Sequence, residues 1–175
     1  LTKSFGEDIM FRLDANGGFD LPQAIRFCKE MEAFNIDYVE QPLLPTELVD
    51  LAELRYHTEI PIAVDESLTN LESAEKILEE QAADVFIIKP MISGGFSESE
   101  KIINLAKKEE IRTVVTSSLE TEIGRTACLH LAAANEIKEA CGLATGELLI
   151  EDKPQNPIVE GILTLSKTPG MGIKL

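Results

Sequence analysis

Four polar residues that end successive apolar runs have the types and the spacing of a metal-binding site. They lie 26, 25 and 24 residues apart: Asp14, Glu40, Asp65 and Lys89. Three carboxylates brought close together repel one another at neutral pH unless a cation neutralises them. With water they supply the oxygen ligands that suit Mg²⁺ and, next, Mn²⁺. Zinc is disfavoured because no His or Cys accompanies them.

Each of these residues also has a simpler interpretation. Any one of the acids alone is more easily explained as a solvated loop residue or a helix cap, and only the regular set of four favours a metal site. Lys89, which precedes Pro90, is either an ion-pair partner for the acids or an acid/base lysine whose pKa a nearby metal and burial hold down. Glu66 points to the other face from Asp65, so we expect it to support the ligands rather than to be one.

The elements that must position these residues alternate along the chain. Short runs rich in Ile, Val and Phe predict strands at 9–14, 38–40, 60–65, 85–89 and 112–117, with a weaker one at 141–144. Helical patterns lie between them, with expected N-caps at Asp20, Thr46 and Asn70. Strands that alternate with helices in this way predict parallel βαβ units.

The near-constant repeat favours a (β/α) barrel over an open doubly wound sheet. Barrels gather their functional groups at the carboxyl ends of the strands, where the four polar residues lie. In the open-sheet alternative a glycine-rich turn binds phosphate, and Gly94-Gly95 does lie between a strand and a helix, but it lacks the dinucleotide fingerprint. The fold class predicted is an incomplete, TIM-like α/β barrel with parallel strands, about six of eight units.

Composition limits the partners. The chain has 16 Lys and Arg against 31 Asp and Glu, a formal charge of −15, so neither nucleic acid nor a membrane surface is an expected partner. No apolar run is long enough to span a membrane. The cysteines Cys28, Cys128 and Cys141 have no metal-type spacing, and we expect buried free thiols in a reducing, cytoplasmic compartment. Whether the protein is a homo-oligomer stays open.

Several short motifs resemble a known family. Four of them resemble the signature of the muconate-lactonizing subgroup of the enolase superfamily: residues 13–17 (Leu-Asp-Ala-Asn-Gly), 40–43 (Glu-Gln-Pro-Leu), 65–67 (Asp-Glu-Ser) and 88–90 (Ile-Lys-Pro). The tail at 169–173 also looks familial. Within that subgroup, residues 116–124 and 142–146 resemble the o-succinylbenzoate synthases. Racemases of N-acylamino acids and dipeptide epimerases are close relatives, so the superfamily signature is the more specific one.

The resemblance implies a mechanism. Asp14, Glu40 and Asp65 would hold Mg²⁺ on the carboxylate of a small-molecule substrate, and a lysine would remove the proton α to that carboxylate. In a synthase the resulting enediolate then loses a hydroxyl to give o-succinylbenzoate, a menaquinone precursor, with Lys89 as a nearby cation. In the racemases Lys89 would exchange a proton on one face. The remaining motif residues would contact substrate or support the ligands: Asn16, Glu66, Ser117, Ser118, Glu120 and Gly146.

One family feature has no counterpart in the sequence. Members carry a Lys-x-Lys motif on the strand before the one that ends in Asp14, together with an N-terminal capping domain. We therefore expect residues 1–175 to be the C-terminal part of the barrel and to be inactive in isolation. Two alternatives stay open: a non-catalytic, metal-binding part of a barrel, and a phosphate-binding barrel that uses Gly94-Gly95. A Ser-His-Asp hydrolase site is not expected, because neither His57 nor His130 ends a strand.

Overall fold

Five short parallel strands alternate with helices in the computed structural model, which describes residues 9–145, 149 and 154–173. The strands are β1 (Phe11–Asp14), β2 (Ile36–Glu40), β3 (Ile62–Val64), β4 (Val85–Ile88) and β5 (Arg112–Val115). The helices are α1 (Leu21–Met31), α2 (Leu48–His57), α3 (Leu71–Glu79), α4 (Pro90–Ser93), α5 (Phe96–Lys108) and α6 (Glu122–Ala134). Strand order in the sheet follows chain order from β1 to β5. An order that never reverses is that of a (β/α) barrel and not of a doubly wound sheet.

Local sequence signals start two of the helices as predicted. Asp20 accepts a hydrogen bond from the backbone N–H of Gln23 at 2.8 Å, and Asn70 caps α3 in the same way. The prediction of Thr46 as the N-cap of α2 is wrong by one residue, because Glu47 occupies that position. The Glu47 carboxylate accepts a hydrogen bond from the N–H of Leu44 at 3.2 Å, so it organises the turn before the helix instead of capping it.

The sixth predicted strand, at 141–144, is reduced to one bridge. Gly142 pairs in parallel with Thr116, and its carbonyl accepts the N–H of Ser117 at 2.9 Å. A Cβ at position 142 would lie 2.8 Å from Cγ2 of Thr116, so a glycine permits the two backbones to approach this closely. The prediction of a sixth strand at 141–144 is therefore wrong in extent, because only Gly142 pairs with the neighbouring backbone.

The chain divides into two compact units. Described residues up to Phe86, together with Glu110–Arg112, form the first unit, and the second contains Ile87–Glu109 and the described residues from Thr113 onward. Fully buried side chains from strands and helices form each core. In the first unit they include Val39, Leu51, Leu54, Ile62 and Val64, and in the second Ile102, Ile103, Ala106 and Val115.

Ion pairs fix the amino-terminal ends of the strands in the first unit. The Asp37 side chain, 8% exposed, accepts Nε of Arg12 at 2.8 Å and Nη2 of Arg112 at 2.7 Å. Asp84, just before β4, binds Nε of Arg55 at 3.0 Å and Nη2 at 2.5 Å, and also accepts the N–H of Ile62 at 2.9 Å. These contacts hold β1, β2 and β3 at the ends opposite to their predicted functional groups.

No helix among the described residues combines the length and apolar character that a membrane span requires. Cys28 and Cys128 are buried free thiols, as predicted. The prediction that Cys141 is also buried is wrong, because its side chain is partly exposed. The pKa of Cys28 is raised to about 11 and that of Cys128 to about 12, mainly because both thiols are buried.

Candidate functional site

Strand register places two of the predicted ligands side by side. Asp14 and Glu40 are direct partners at the carboxyl ends of β1 and β2, and the N–H of Ala15 donates to the carbonyl of Glu40 at 3.0 Å. Partners in adjacent parallel strands present their side chains to the same face. The Asp14 side chain is exposed and that of Glu40 is half-buried, so both carboxylates lie at the edge of the sheet.

The third predicted ligand follows β3. Glu40 pairs with Ala63, and Asp65 lies two residues further on, just past the end of the strand. Asp65 is 8% exposed, and its carbonyl accepts the N–H of Leu68 at 2.8 Å as the chain turns away. The backbone therefore brings all three acid-bearing positions to the carboxyl ends of three adjacent strands.

Two neighbours of these acids were predicted to support them. Asn16 donates its backbone N–H to Oδ1 of Asp14 at 3.0 Å, and its side-chain amide reaches Oδ2 at 3.5 Å. This places Asn16 where it can orient the Asp14 carboxylate. Glu66 is exposed and lies in the turn that follows β3.

Lys89, the predicted catalytic residue, directly follows β4 in the second unit. It is half-buried and stands at the N-cap position of the short helix α4. Its carbonyl accepts two hydrogen bonds from Ser93, one from the backbone N–H at 2.9 Å and one from the side-chain hydroxyl at 3.0 Å. The N–H of Thr116 donates to the carbonyl of Ile88 at 3.0 Å, so the ends of β4 and β5 are adjacent within this unit.

The predicted serines after β5 form a hydrogen-bonded loop. The hydroxyl of Ser117 lies 2.6 Å from that of Thr145, which also donates to the carbonyl of Ser118 at 2.7 Å. Oε1 of Glu120 accepts the N–H of Ser118 at 3.0 Å. A Cβ at Gly124 would collide with the Glu120 carboxylate, so glycine leaves room for that contact. Gly146, also predicted, lies outside the described residues.

Comparison with known proteins identifies the family to which this arrangement belongs. Residues 1–175 match the family described as enolase C-terminal domain-like. The chain belongs to this family. An o-succinylbenzoate synthase from Thermobifida fusca (strain YX) is 36% identical over 159 residues, which are 89% of this chain and 49% of that protein. The chain thus spans about half the length of the curated relatives it matches.

Solved structures agree with the family assignment. A muconate cycloisomerase from Pseudomonas fluorescens is 30% identical, with a TM-score of 0.92, and the match covers 99% of this chain and 49% of that one. A dipeptide epimerase from Cytophaga hutchinsonii, complexed with Mg and dipeptide D-Ala-L-Val, is 34% identical with a TM-score of 0.73, covering 75% and 36%. The incomplete (β/α)-barrel fold and the enolase-superfamily resemblance predicted from the sequence are confirmed.

The chemistry of the donor set fits a magnesium ion. The three predicted ligands offer only carboxylate oxygens, which are hard donors, and their backbones meet at one edge of the first unit. Among the described residues, no group of three or more His, Cys, Asp and Glu side chains is already gathered as an ion would need. The backbone frame and the donor type therefore fit the ion, and the ligand assignment stays a prediction.

The phosphate-binding alternative loses support from local contacts. The N–H of Gly95 is already donated to the carbonyl of Pro90 at 2.7 Å. One of the two lysines that flank the turn, Lys101, pairs with Glu98 at 2.6 Å, and the other is Lys89. These contacts occupy one backbone N–H and one positive charge of the kind on which a phosphate site depends.

One residue with a central position in the site was missed. Gln41, between Glu40 and Pro42, is completely buried and has a positive φ of 37°. Its side chain connects the ends of β2 and β3 through hydrogen bonds to backbone groups and to Ser67. The only signal in the sequence was its place in the 40–43 motif, which does not indicate what the amide contacts.

Proposed function

We propose that the protein containing this chain is a Mg²⁺-dependent, cytoplasmic o-succinylbenzoate synthase. It would dehydrate 2-succinyl-6-hydroxy-2,4-cyclohexadiene-1-carboxylate to o-succinylbenzoate, a step towards menaquinone. The proposal rests on the positions of the three acids. Asp14 and Glu40 are paired in register at the ends of β1 and β2, and Asp65 directly follows the end of the next strand, β3. The similarity to a protein named o-succinylbenzoate synthase directs the choice of substrate.

In this proposal Asp14, Glu40 and Asp65 hold the ion and bring the substrate carboxylate to the edge of the sheet. When bound, Mg²⁺ supplies fixed positive charge, which makes the very weakly acidic α-proton easier to remove. Asn16 keeps the Asp14 carboxylate oriented through its 3.0 Å hydrogen bond. The role of the chain's own residues is thus to hold the backbones of three oxygen donors at adjacent strand ends.

Lys89 is the cationic residue that we assign to the reaction. In the synthase it would stabilise the anion that forms when the α-proton leaves, and in a racemase it would move a proton on one face of the substrate. Its backbone lies at the N-cap position of α4, where its carbonyl accepts hydrogen bonds from the N–H and the hydroxyl of Ser93. Such fixed positioning is what electrostatic stabilisation of a developing charge requires.

A racemase or epimerase of the same superfamily is the second candidate. It is favoured by the similarity to a dipeptide epimerase that was solved with Mg and a dipeptide. Both reactions begin with removal of a proton α to a carboxylate, so the same residues serve either one. They differ in the next step, which is loss of hydroxide in one reaction and return of the proton in the other.

The test uses the protein at its natural length. We expect Mg²⁺-dependent dehydration, measured by absorbance, and slower or no racemisation of N-acylamino acids or dipeptides, measured by deuterium uptake from D₂O. Lys89→Ala should lower turnover by about 10²–10³-fold, because a cation beside a developing anion is lost. Lys76→Ala is the matched control, since Lys76 is exposed and pairs with Glu72 on its own helix.

Each outcome selects one candidate. Racemisation without dehydration would move the assignment to the racemase or epimerase. No turnover of either substrate class by a folded protein that binds Mg²⁺ would favour the non-catalytic alternative. Equal turnover by Lys89→Ala and Lys76→Ala would contradict the role given to Lys89.

A further inference from the structure

Gln41 uses every hydrogen-bonding atom of its side chain. Oε1 accepts the backbone N–H groups of Asp65 and Ser67, both at 3.1 Å. Nε2 donates to the carbonyl of Leu43 and to the hydroxyl of Ser67, both at 2.9 Å. Only this orientation of the amide is consistent with its partners, because two of them are donors and one is a carbonyl.

The backbone of Gln41 extends the same set of contacts to the third strand end. Its N–H donates to the carbonyl of Ala63 at 2.8 Å, and its carbonyl accepts the N–H of Gly17 at 2.6 Å. Gly17 belongs to the loop that follows Asp14. One residue therefore contacts the segments that carry all three predicted ligands: it adjoins Glu40, binds the amide of Asp65 and holds the loop after Asp14.

The conformation of Gln41 indicates that these contacts determine its shape. A φ of 37° lies in the left-handed region, which a non-glycine residue adopts only at an energetic cost. A glycine would adopt it without that cost, but a glycine has no amide to bond to Asp65 and Ser67. The side chain is also 0% exposed, so water cannot replace any of its partners.

We propose that Gln41 is a positioning residue that sets the relative placement of Glu40 and Asp65 and thereby the affinity of the carboxylate edge for a divalent cation. The inference rests on the proposed function, because it takes those acids as ligands. Gln41 itself donates nothing to the ion. It acts through the backbone of β2 and of the turn after β3.

The experiment measures ion binding and stability separately in the purified, natural-length protein. Mn²⁺ is the probe, since the electron paramagnetic resonance signal of the free ion falls as it binds. Gln41→Met, similar in length but without polar atoms, should weaken Mn²⁺ binding by about 10- to 100-fold, the range found for residues that orient metal ligands. Ser67→Ala removes one partner of Nε2 and should weaken it by about 2- to 10-fold.

Asp84→Ala is the matched control. Asp84 also accepts a backbone N–H of β3, from Ile62, but at the opposite end of the strand. It should lower the melting temperature of the ion-free protein while Mn²⁺ affinity stays within about twofold of wild type, since no carboxyl-end contact is lost. This separates an effect on ligand position from a general loss of stability.

The inference is overturned if Gln41→Met binds Mn²⁺ within twofold of wild type, or if Asp84→Ala loses as much affinity. Should Gln41→Met fail to fold, Ser67→Ala decides by the same criterion. Absence of Mn²⁺ binding by the wild type would overturn both this inference and the proposed metal site. If the variants behave as expected while the wild type turns over neither substrate class, the proposed function fails and the role of Gln41 stands.

Discussion

Replacing Asp84 with alanine tests how the amino-terminal ends of the strands are held. The Arg55 and Asp84 side chains are 28% and 33% exposed, so solvent reduces the value of their ion pair to about 1–2 kcal/mol. The same carboxylate accepts the N–H of Ile62, a residue with no exposed surface. Leaving that N–H without an acceptor costs a further amount of about 1–3 kcal/mol.

The expected total is about 3 kcal/mol of unfolding free energy. In a protein of about 150–250 residues such a loss lowers the melting temperature by about 6–12 °C, which calorimetry or circular dichroism measures directly. Asp84→Asn is the companion variant, because its amide oxygen can still accept the N–H of Ile62 while the charge is lost. It should show about half of the decrease.

Two results would refute this reasoning. A melting temperature of Asp84→Ala within about 2 °C of wild type would mean that neither contact stabilises the fold appreciably. Equal decreases for the alanine and asparagine variants would mean that the N–H of Ile62 contributes nothing and that the whole effect comes from the charge.

Three further predictions concern the site, an ion pair and the thiols. Mg²⁺ at 100 times its dissociation constant should stabilise the wild type by about 2.7 kcal/mol, and Asp65→Asn should remove most of the shift in thermal melts. Burial tends to raise the pKa of Asp37, but its hydrogen bonds to Arg112 and Arg12 and their charges outweigh burial and lower it. The folded state then binds fewer protons than the unfolded chain, so the stability advantage of wild type over Asp37→Asn, in denaturant titrations, should be full above about pH 4 and shrink below it. A thiol reagent applied to the native protein should modify the partly exposed Cys141 first, because burial raises the pKa of Cys28 to about 11 and that of Cys128 to about 12, and mass spectrometry should find both unmodified at early times.

The strand ends were accessible from the sequence because each follows a local apolar run. Asp14 and Glu40 close their strands as predicted, and Asp65 and Lys89 follow theirs directly. The order of the strands followed from the near-constant repeat. The length of the sixth strand, at 141–144, was overestimated. An apolar run does not reveal how many of its residues will pair with a neighbouring strand, and here only Gly142 pairs, with Thr116.

Contacts between distant segments could not be predicted. Asp37 binds Arg112, which lies 75 residues further along the chain, and no periodicity or spacing links the two. Gln41 was equally hidden, because its partners follow a different strand and its left-handed conformation has no signature in a residue of this type. The shift of the α2 N-cap from Thr46 to Glu47 arose because a carboxylate side chain bonded to a preceding turn.

The conformation of Gln41 also bears on the order of events in folding. Its side-chain partners Asp65 and Ser67 lie 24 and 26 residues away, and the local backbone alone disfavours a φ of 37°. We therefore expect the left-handed turn to form only after β2 and β3 have paired, late in folding. Mutations at this position should speed unfolding and leave the folding rate nearly unchanged. In mutational analysis of the folding transition state, the ratio of the change in folding activation free energy to the change in stability should then be near zero. The carboxylate edge would then be the last part of the first unit to form and the first to open.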